Sequence, residues 1–527
     1  MKDWFEEYSV LLIPMLLAAG YAGAFIWYAP DYYSDDFLVF FYIQESLQTL
    51  TLPGLTTPFY LGLRPGFVFI LSLLHFITAD PVFTKIFLLF CSLALVFISW
   101  RIITLAGKLY GFTPTGVIIA MGLFFIAFHP DTLYSVFWIS NGNELLMTIF
   151  YAGSIYSLLL LMQNGKTGYL LFSLVLFLIS ASMKQTGLHL PFLAALFLTV
   201  YPPGGSKESH RRTVYILAGA GILAAAVSAF LHASTQYAGI LGSIDVWKKP
   251  FAVAGTLLYV LNPEAGSRLY GYFLMNKLYA VIAAVPVTAA AGWYIYRKRV
   301  SMGKIFFWLA VFLLIFYPRM MAPGGDRVNM IQVFWAGVAG IAIGSFYPKG
   351  KTAVLLLYIF AIVSSVQYSV RAAEGFRERK EALLQMNHEL AVATNGKPEE
   401  YLLVTPPDTW MYPYLYGYYA AEKFNRYPLN ILPVSANTAD LTGIYNKKQS
   451  VIEAIRNGDT LRLRYTDAAS YFTYNPTDSS GGRVRYLSAV RHAGERGYGV
   501  ITVLMGNIYR GTPLIFFDGA KWRRVSD

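Results

Sequence analysis

Near its start the chain carries Val10-Leu-Leu-Ile-Pro-Met-Leu-Leu-Ala-Ala-Gly-Tyr-Ala-Gly-Ala-Phe-Ile-Trp-Tyr28, an apolar stretch long enough to cross a bilayer. The chain then continues Ala-Pro-Asp-Tyr-Tyr-Ser-Asp35-Asp36-Phe. Two acids so close to the end of a span lie at the boundary between lipid and water. Ionisable groups at that depth are costly, so this acidic pair is a candidate functional site.

The composition indicates a membrane protein with one water-soluble part. The chain has 527 residues, of which 56% are hydrophobic and only 14% charged, whereas a soluble protein has about 25% charged residues. Residues 1–370 are apolar runs separated by short polar loops, and residues 371–527 have an ordinary soluble composition. We therefore predict a polytopic α-helical membrane domain over 1–370, with roughly 11–13 spans, and a C-terminal soluble α/β domain over 371–527.

The candidate spans follow the apolar runs. They are 9–28, 65–79, 83–104, 113–128, 144–162, 168–182, 187–201, 213–232, 277–296, 304–320, 329–347 and 351–370, with a weaker one at 250–262. In the tail, a charged helix is predicted over Arg371–Glu389. Strands are predicted at Tyr401-Leu-Leu-Val and Gly499-Val-Ile-Thr-Val-Leu-Met, and a hairpin about Asp518-Gly519.

The net charge of +12 is explained by membrane topology, because basic residues collect in cytoplasmic loops. We therefore expect no nucleic-acid partner. Basic residues gather in loops that we predict to be cytoplasmic, at Lys166, Lys207–Arg212, Arg297–Lys304 and Lys349–Lys351. This order places residues 371–527 outside. The first quarter conflicts with it, because Arg101 and Lys108 also look cytoplasmic and counting back two spans puts Asp35 inside. Either 65–79 enters the membrane without crossing it, or one of the span boundaries is wrong; we expect Asp35 outside.

Several other polar residues interrupt apolar segments, and the predicted topology puts nearly all of them on the outer side. They are Arg64, His129, Asp131, Glu144, Lys184, Arg319, Asp326 and Arg327. A carboxylate can deprotonate a hydroxyl as that hydroxyl attacks the anomeric carbon of a sugar. Arginine and lysine can hold a departing phosphate and stabilise its charge. Because the site opens onto the bilayer and the chain shows no nucleotide-binding motif, the leaving group would be a lipid phosphate.

Each residue also has a plain structural interpretation. Asp35 or Asp36 could cap a helix lying at the interface over 36–50. Arg64 and Arg319 could reach up to lipid headgroups. His129 could be a hydrogen-bonded structural residue, and Lys184 a loop lysine. Asp326 and Arg327 could form an ion pair that closes a loop.

The order of these motifs resembles the GT-C superfamily of polyprenyl-phosphate-sugar-dependent glycosyltransferases. The resemblance is strongest to the O-mannosyltransferases with tetratricopeptide repeats and their bacterial relatives. That family has an acidic pair, then Arg-Pro-Leu, then His-Pro with Trp-x-x-Gly-Arg-x-Asp/Glu-Leu-Leu, then Ser-Lys-Glu-x-Gly with a later Pro. The matching segments here are Ser34-Asp35-Asp36-Phe37, Arg64-Pro65-Gly66, His129-Pro130, Trp138-Ile-Ser-Asn-Gly142-Asn143-Glu144-Leu-Leu146 and Met183-Lys184-Gln185-Thr-Gly187 with Pro191.

Two departures limit what the resemblance implies. Asn143 stands where the family has arginine, and Gln185 where it has glutamate. Residues 371–527 also lack a helical repeat of about 34 residues, so the sugar and the acceptor do not carry over. The resemblance implies an outward-facing carboxylate base, a polyprenyl-phosphate sugar donor and an inverting, single-displacement transfer.

We therefore expect a multi-pass glycosyltransferase of a bacterial inner membrane, with a glycan, a lipid or a protein hydroxyl as acceptor. Asp35 is the expected base and Asp36 its near alternative. The donor phosphate is assigned to Arg64, Lys184, Arg319 and Arg327, and the substrate pocket to His129, Glu144 and Asp326. No metal cluster is evident, although two adjacent acids could bind a divalent cation.

Two rival functions stay open. A transporter or flippase for a lipid-linked glycan would also bury charges, but it should show internal repeats with broken helices in both halves. An inactive assembly subunit would fit the departures at Asn143 and Gln185.

Overall fold

The computed structural model describes residues 2–28, 43, 64–200, 207–233, 258–263, 265, 309–311, 314–315, 330–346, 350–397, 400–404, 431–432, 451–458, 460–466, 484–492, 498–505, 512–517 and 521–525. The protein is mostly helical. It divides into two units, one of residues 1–31 and 46–373 and the other of residues 32–45 and 374–527.

The first unit is a bundle of helices. Their bounds are α1 (Lys2–Tyr28), α2 (Pro65–Ile77), α3 (Pro81–Tyr110), α4 (Gly116–Phe128), α5 (Pro130–Phe137), α6 (Gly142–Asn164), α7 (Gly168–Met183), α8 (Leu190–Val200), α9 (Lys207–Ala233), α10 (Met330–Phe346) and α11 (Lys351–Ala393), which continues into the second unit.

Four of these helices are long and apolar enough to cross a membrane, over Tyr8–Tyr28, Pro81–Tyr110, Gly142–Asn164 and Lys351–Glu374. A fifth is counted if α4 and α5, which meet at a bend of 45°, form one broken span. Helices α2, α7, α8 and α10 are apolar but shorter. The part of the chain that the structure describes is thus consistent with a multi-pass membrane protein. Candidate span 277–296 and most of 304–320 lie outside the described residues.

The bundle has two ends, which can be identified from how its helices pair. Helices α3 and α6 run parallel, because a Cβ atom on Gly142 would lie 2.9 Å from the Leu88 side chain, and Tyr110 Oη lies 3.9 Å from Met162 Sδ. The starts of α3 and α6 therefore share one end of the bundle, and their last turns share the other.

Helices α1, α4 and α7 finish where α3 and α6 begin. Helix α7 runs back along α6, since Ser180 Oγ donates a hydrogen bond to the Met147 carbonyl at 2.9 Å. Helix α1 runs beside α4, and the rings of Tyr21 and Phe128 stack with centroids 4.9 Å apart. We call this end, which holds His129, Gly142 and Met183, the site end.

The opposite end, which we call the basic end, collects the charges that the sequence assigned to cytoplasmic loops. Its described basic residues are Lys108, Lys166, Arg211, Arg212 and Lys351. Lys108 ends α3, Lys166 joins α6 to α7, and Lys351 opens α11. The basic residues predicted to be cytoplasmic and the candidate site residues therefore lie at opposite ends of the helices, as the positive-inside rule predicts.

Helix α10 packs against α4 and α11 through a stripe of small residues, Gly337, Gly340 and Gly344. A Cβ atom on Gly337 would collide with Ile126, and one on Gly340 would collide with the Tyr358 ring. Tyr358 Oη also donates to the Gly337 carbonyl at 2.6 Å. The helices pack closely at these glycines, because any side chain there would separate them.

Helix α2 does not cross the bundle, so the candidate span 65–79 is wrong. Its start lies at the site end, because Gly66 packs against Ser182 and Met183 in the last turn of α7. Its end leads through Asp80 into α3, which also begins at the site end. The C-terminal end of α1 and the start of α3 therefore lie at the same end of the bundle. This removes the conflict in the count that had placed Asp35 inside.

The second unit contains two four-stranded sheets. The strands are β1 (Leu402–Val404), β2 (Ile431–Leu432), β3 (Val451–Asn457), β4 (Thr460–Thr466), β5 (Val484–His492), β6 (Tyr498–Met505), β7 (Leu514–Phe517) and β8 (Trp522–Arg524). The sheet orders are β2-β1-β7-β8 and β3-β4-β6-β5. The predicted strands at 402–404 and 499–505 are confirmed, and β7 and β8 pair antiparallel as the predicted hairpin requires.

Candidate functional site

Four of the nine predicted site residues fall within the described part of the chain. They are Arg64, His129, Glu144 and Lys184, and all four lie at the site end. The other five lie outside the described residues, namely Asp35, Asp36, Arg319, Asp326 and Arg327. The predicted interfacial helix over 36–50 and the alternative of a divalent cation at the acidic pair fall there too.

Glu144 and Lys184 form an ion pair that joins two helices. Glu144 lies in the first turn of α6, and Lys184 follows the last residue of α7 in extended conformation. Each charge thus sits at the helix end where the helix dipole favours it. Lys184 Nζ donates to Glu144 Oε1. The Glu144 side chain is 5% exposed and that of Lys184 is 21% exposed, so the lysine side chain is only partly buried.

His129 is a buried pivot between α4 and α5. Its Nδ1 accepts the backbone N–H of Asp131 at 3.3 Å, which caps the start of α5. The ring is fully buried, and it contacts the rings of Phe125 and Tyr259. These contacts fit the structural interpretation of His129, which fixes the bend, and they place the buried Asp131 carboxyl beside it.

Arg64 is half-buried and immediately precedes α2. Two residues later, Gly66 approaches the last turn of α7 so closely that a Cβ atom would collide with Ser182 Oγ. This contact leaves no room for a larger side chain at residue 66. The start of α2 thereby lies beside the turn that carries Lys184.

The sequence analysis missed Lys85, a lysine that is only 1% exposed in the second turn of α3. It lies one helical turn before Leu88, and Leu88 packs on Gly142 at the start of α6. Residues three apart share a helix face, so Lys85 belongs to the same end of the bundle as Glu144. A lysine within an apolar run, Pro81-Val-Phe-Thr-Lys85-Ile-Phe-Leu, was the signal that could have found it.

The described site end therefore combines three cations with two buried carboxylates, namely Arg64, Lys85, Lys184, Asp131 and Glu144. Charges in a low-dielectric site interact more strongly than in water. Asp80, the exposed N-cap of α3, adds a third carboxylate at this end. Among the three cations, the side chain of Lys184 is partly exposed and is placed to reach an anionic group.

None of the known protein-family models matches the chain, and a comparison with curated proteins gives no match.

Proposed function

We propose that the chain is an integral-membrane glycosyltransferase of the GT-C type. It transfers a sugar from a polyprenyl phosphate to a hydroxyl acceptor on the extracytoplasmic side, with inversion at the anomeric carbon. In this proposal the soluble part, 371–527, is an α/β domain on that same side. The membrane is a bacterial inner membrane.

The observation that carries the proposal is the Glu144–Lys184 pair at the site end. A lipid phosphate approaching from the outer leaflet would meet Lys184, which directly follows the last residue of α7 and whose side chain is partly exposed. Arg64 is close in sequence to Gly66, which packs against Ser182 and Met183 just before Lys184. Guanidinium and ammonium groups together are well suited to a phosphate leaving group, whose charge grows as the glycosidic bond breaks.

The remaining roles follow the resemblance. Asp35, on the segment that follows α1, acts as the base for the acceptor hydroxyl, with Asp36 as the alternative. Arg319 and Arg327 complete the phosphate site, and Asp326 lines the sugar pocket together with Glu144. His129, assigned to the same pocket, supports it from the interior by fixing the bend between α4 and α5. The support for Asp35 in this role is that α1 ends at the site end.

Membranes that contain the chain are expected to release polyprenyl phosphate from a radiolabelled pool of polyprenyl-phosphate mannose, glucose and arabinose, and to pass the label to an acceptor. Lys184→Met should reduce this release, because the departing phosphate loses its ammonium partner. Lys166→Met is the matched control, since Lys166 is an exposed lysine at the basic end. Movement of intact labelled lipid across the membrane, without cleavage, would favour the flippase instead.

The soluble part is expected to face outside. In a Cys91→Ser background, which removes the native thiol, Ser479→Cys should react with a membrane-impermeant maleimide in intact cells. Asn164→Cys, at the basic end of α6, should react only after permeabilisation. The reverse pattern of labelling would overturn the proposed orientation, and with it the side on which transfer takes place.

A further inference from the structure

We propose that a buried chain of hydrogen bonds from Trp335 through Tyr151 to His189 holds Lys184 in place. Tyr151 and His189 are then positioning residues of the phosphate site, an assignment that rests on the proposed function. These hydrogen bonds link three helices, because Trp335 belongs to α10, Tyr151 to α6, and His189 immediately precedes α8.

The geometry of the chain fits one arrangement of protons. Trp335 Nε1 donates to Tyr151 Oη at 2.9 Å, and Tyr151 Oη lies 3.2 Å from His189 Nε2. His189 Nδ1 lies 2.8 Å from the carbonyl oxygen of Thr186. A carbonyl can only accept, so Nδ1 carries the proton, and in a neutral ring Nε2 then accepts from the tyrosine. Each group is thereby satisfied.

The Tyr151–His189 part of these hydrogen bonds is shielded from solvent, whereas Trp335 is half-buried. Tyr151 has no exposed surface, and His189 is 3% exposed. The Tyr151 ring also contacts the rings of Phe334 and Trp335. Hydrogen bonds in such surroundings resist distortion, because a broken bond leaves a buried polar group without a partner.

The last of these hydrogen bonds, from His189 to Thr186, is made to the turn that follows Lys184. Thr186 lies in the short 3-10 turn Gln185–Gly187, directly after Lys184. The Gly187 amide is 3.4 Å from the Lys184 carbonyl oxygen, and the Lys184 amide donates to the Ser180 carbonyl at 3.2 Å. His189 therefore fixes the far side of the turn, while α7 fixes the near side.

Helix α6 carries both Glu144, the ion-pair partner of Lys184, and Tyr151, the central residue of the hydrogen-bond chain. Tyr151 follows Glu144 by seven residues, which is two helical turns, so both side chains lie on one face. The ion pair and the hydrogen-bond chain thus hold the Lys184 turn from the same helix. Without the bond to Thr186, the turn loses one of these two attachments and Lys184 becomes free to leave Glu144.

The test measures how fast Lys184 is acylated by an N-hydroxysuccinimide ester in the purified full-length protein, by mass spectrometry of its peptide, relative to Lys166. His189→Gln should raise this ratio roughly fivefold, the equivalent of one hydrogen bond. His189→Asn should leave it near the wild-type value, because the asparagine amide nitrogen can take the place of Nδ1 and still donate to Thr186. The longer glutamine places its amide near the position of Nε2 and loses this bond. Tyr151→Phe should raise it less than His189→Gln.

Tyr156→Phe is the matched control, since this α6 tyrosine bonds the exposed Arg101 instead. An unchanged ratio in His189→Gln, or an equal rise in His189→Asn, would overturn the positioning role. Binding of polyprenyl phosphate to the same samples tests the function separately. If the acylation ratios behave as expected but wild-type protein binds no polyprenyl phosphate, the positioning chain stands and the phosphate role of Lys184 fails.

Discussion

Replacing Asp35 by asparagine is expected to lower the rate of sugar transfer by about 10²–10⁴-fold, the usual contribution of a positioned general base. Asparagine has the shape of aspartate but cannot take a proton from the acceptor hydroxyl. Expression and binding of polyprenyl phosphate should be nearly unaffected, because the phosphate is assigned to cations. The measurement is turnover of the radiolabelled polyprenyl-phosphate sugar pool in membranes.

Two variants make this experiment decisive. Asp36→Asn shows which of the adjacent acids is the base. Asp80→Asn is the matched control, because Asp80 is an exposed acid at the site end that caps α3 by accepting the Val82 amide at 2.9 Å, and asparagine caps equally well. Wild-type turnover from both Asp35→Asn and Asp36→Asn would rule out a carboxylate base in this segment.

The sequence was sufficient to locate the helices of the first unit wherever an apolar run has a clear end. The candidate spans 83–104 and 144–162 lie within α3 and α6. Apolar residues must leave water, and Pro81, Gly111 and Gly165 mark where these helices begin or end. Segment 65–79 was misjudged because its composition equals that of a span. The contact of Gly66 with α7, which no local pattern encodes, places its start at the site end, and the connection to α3 places its end there too.

The candidate site was predicted in outline but not in its contacts. Placing Glu144 and Lys184 on one side of the membrane follows from topology, whereas their ion pair depends on how α6 packs against α7. The sequence assigned these two residues different roles, and no periodicity could have joined residues 40 positions apart. The burial of Asn143, which is 1% exposed and directly precedes Glu144, was not predicted from the sequence either.

Breaking the Glu144–Lys184 pair is expected to have the second large effect, and it separates binding from stability. Lys184→Met leaves the Glu144 carboxylate buried without its charged partner, which should lower the free energy of unfolding by about 3 kcal/mol. It should also weaken binding of polyprenyl phosphate roughly tenfold or more, as expected for a lost hydrogen bond to a charged group. Glu144→Gln alone keeps the ammonium, and therefore it should keep most of the phosphate affinity.

The double variant Glu144→Gln with Lys184→Met distinguishes the two possible roles of the lysine. Removal of both charges leaves no unpaired ion, so the free energy of unfolding, measured by mixed-detergent titration of the purified protein, should recover most of the loss. Phosphate affinity should stay as low as in Lys184→Met, because the ammonium is still absent. If affinity instead recovers together with stability, Lys184 serves only to hold α6 against α7. The donor phosphate would then be assigned to Arg64 and Lys85, the other two cations described at the site end.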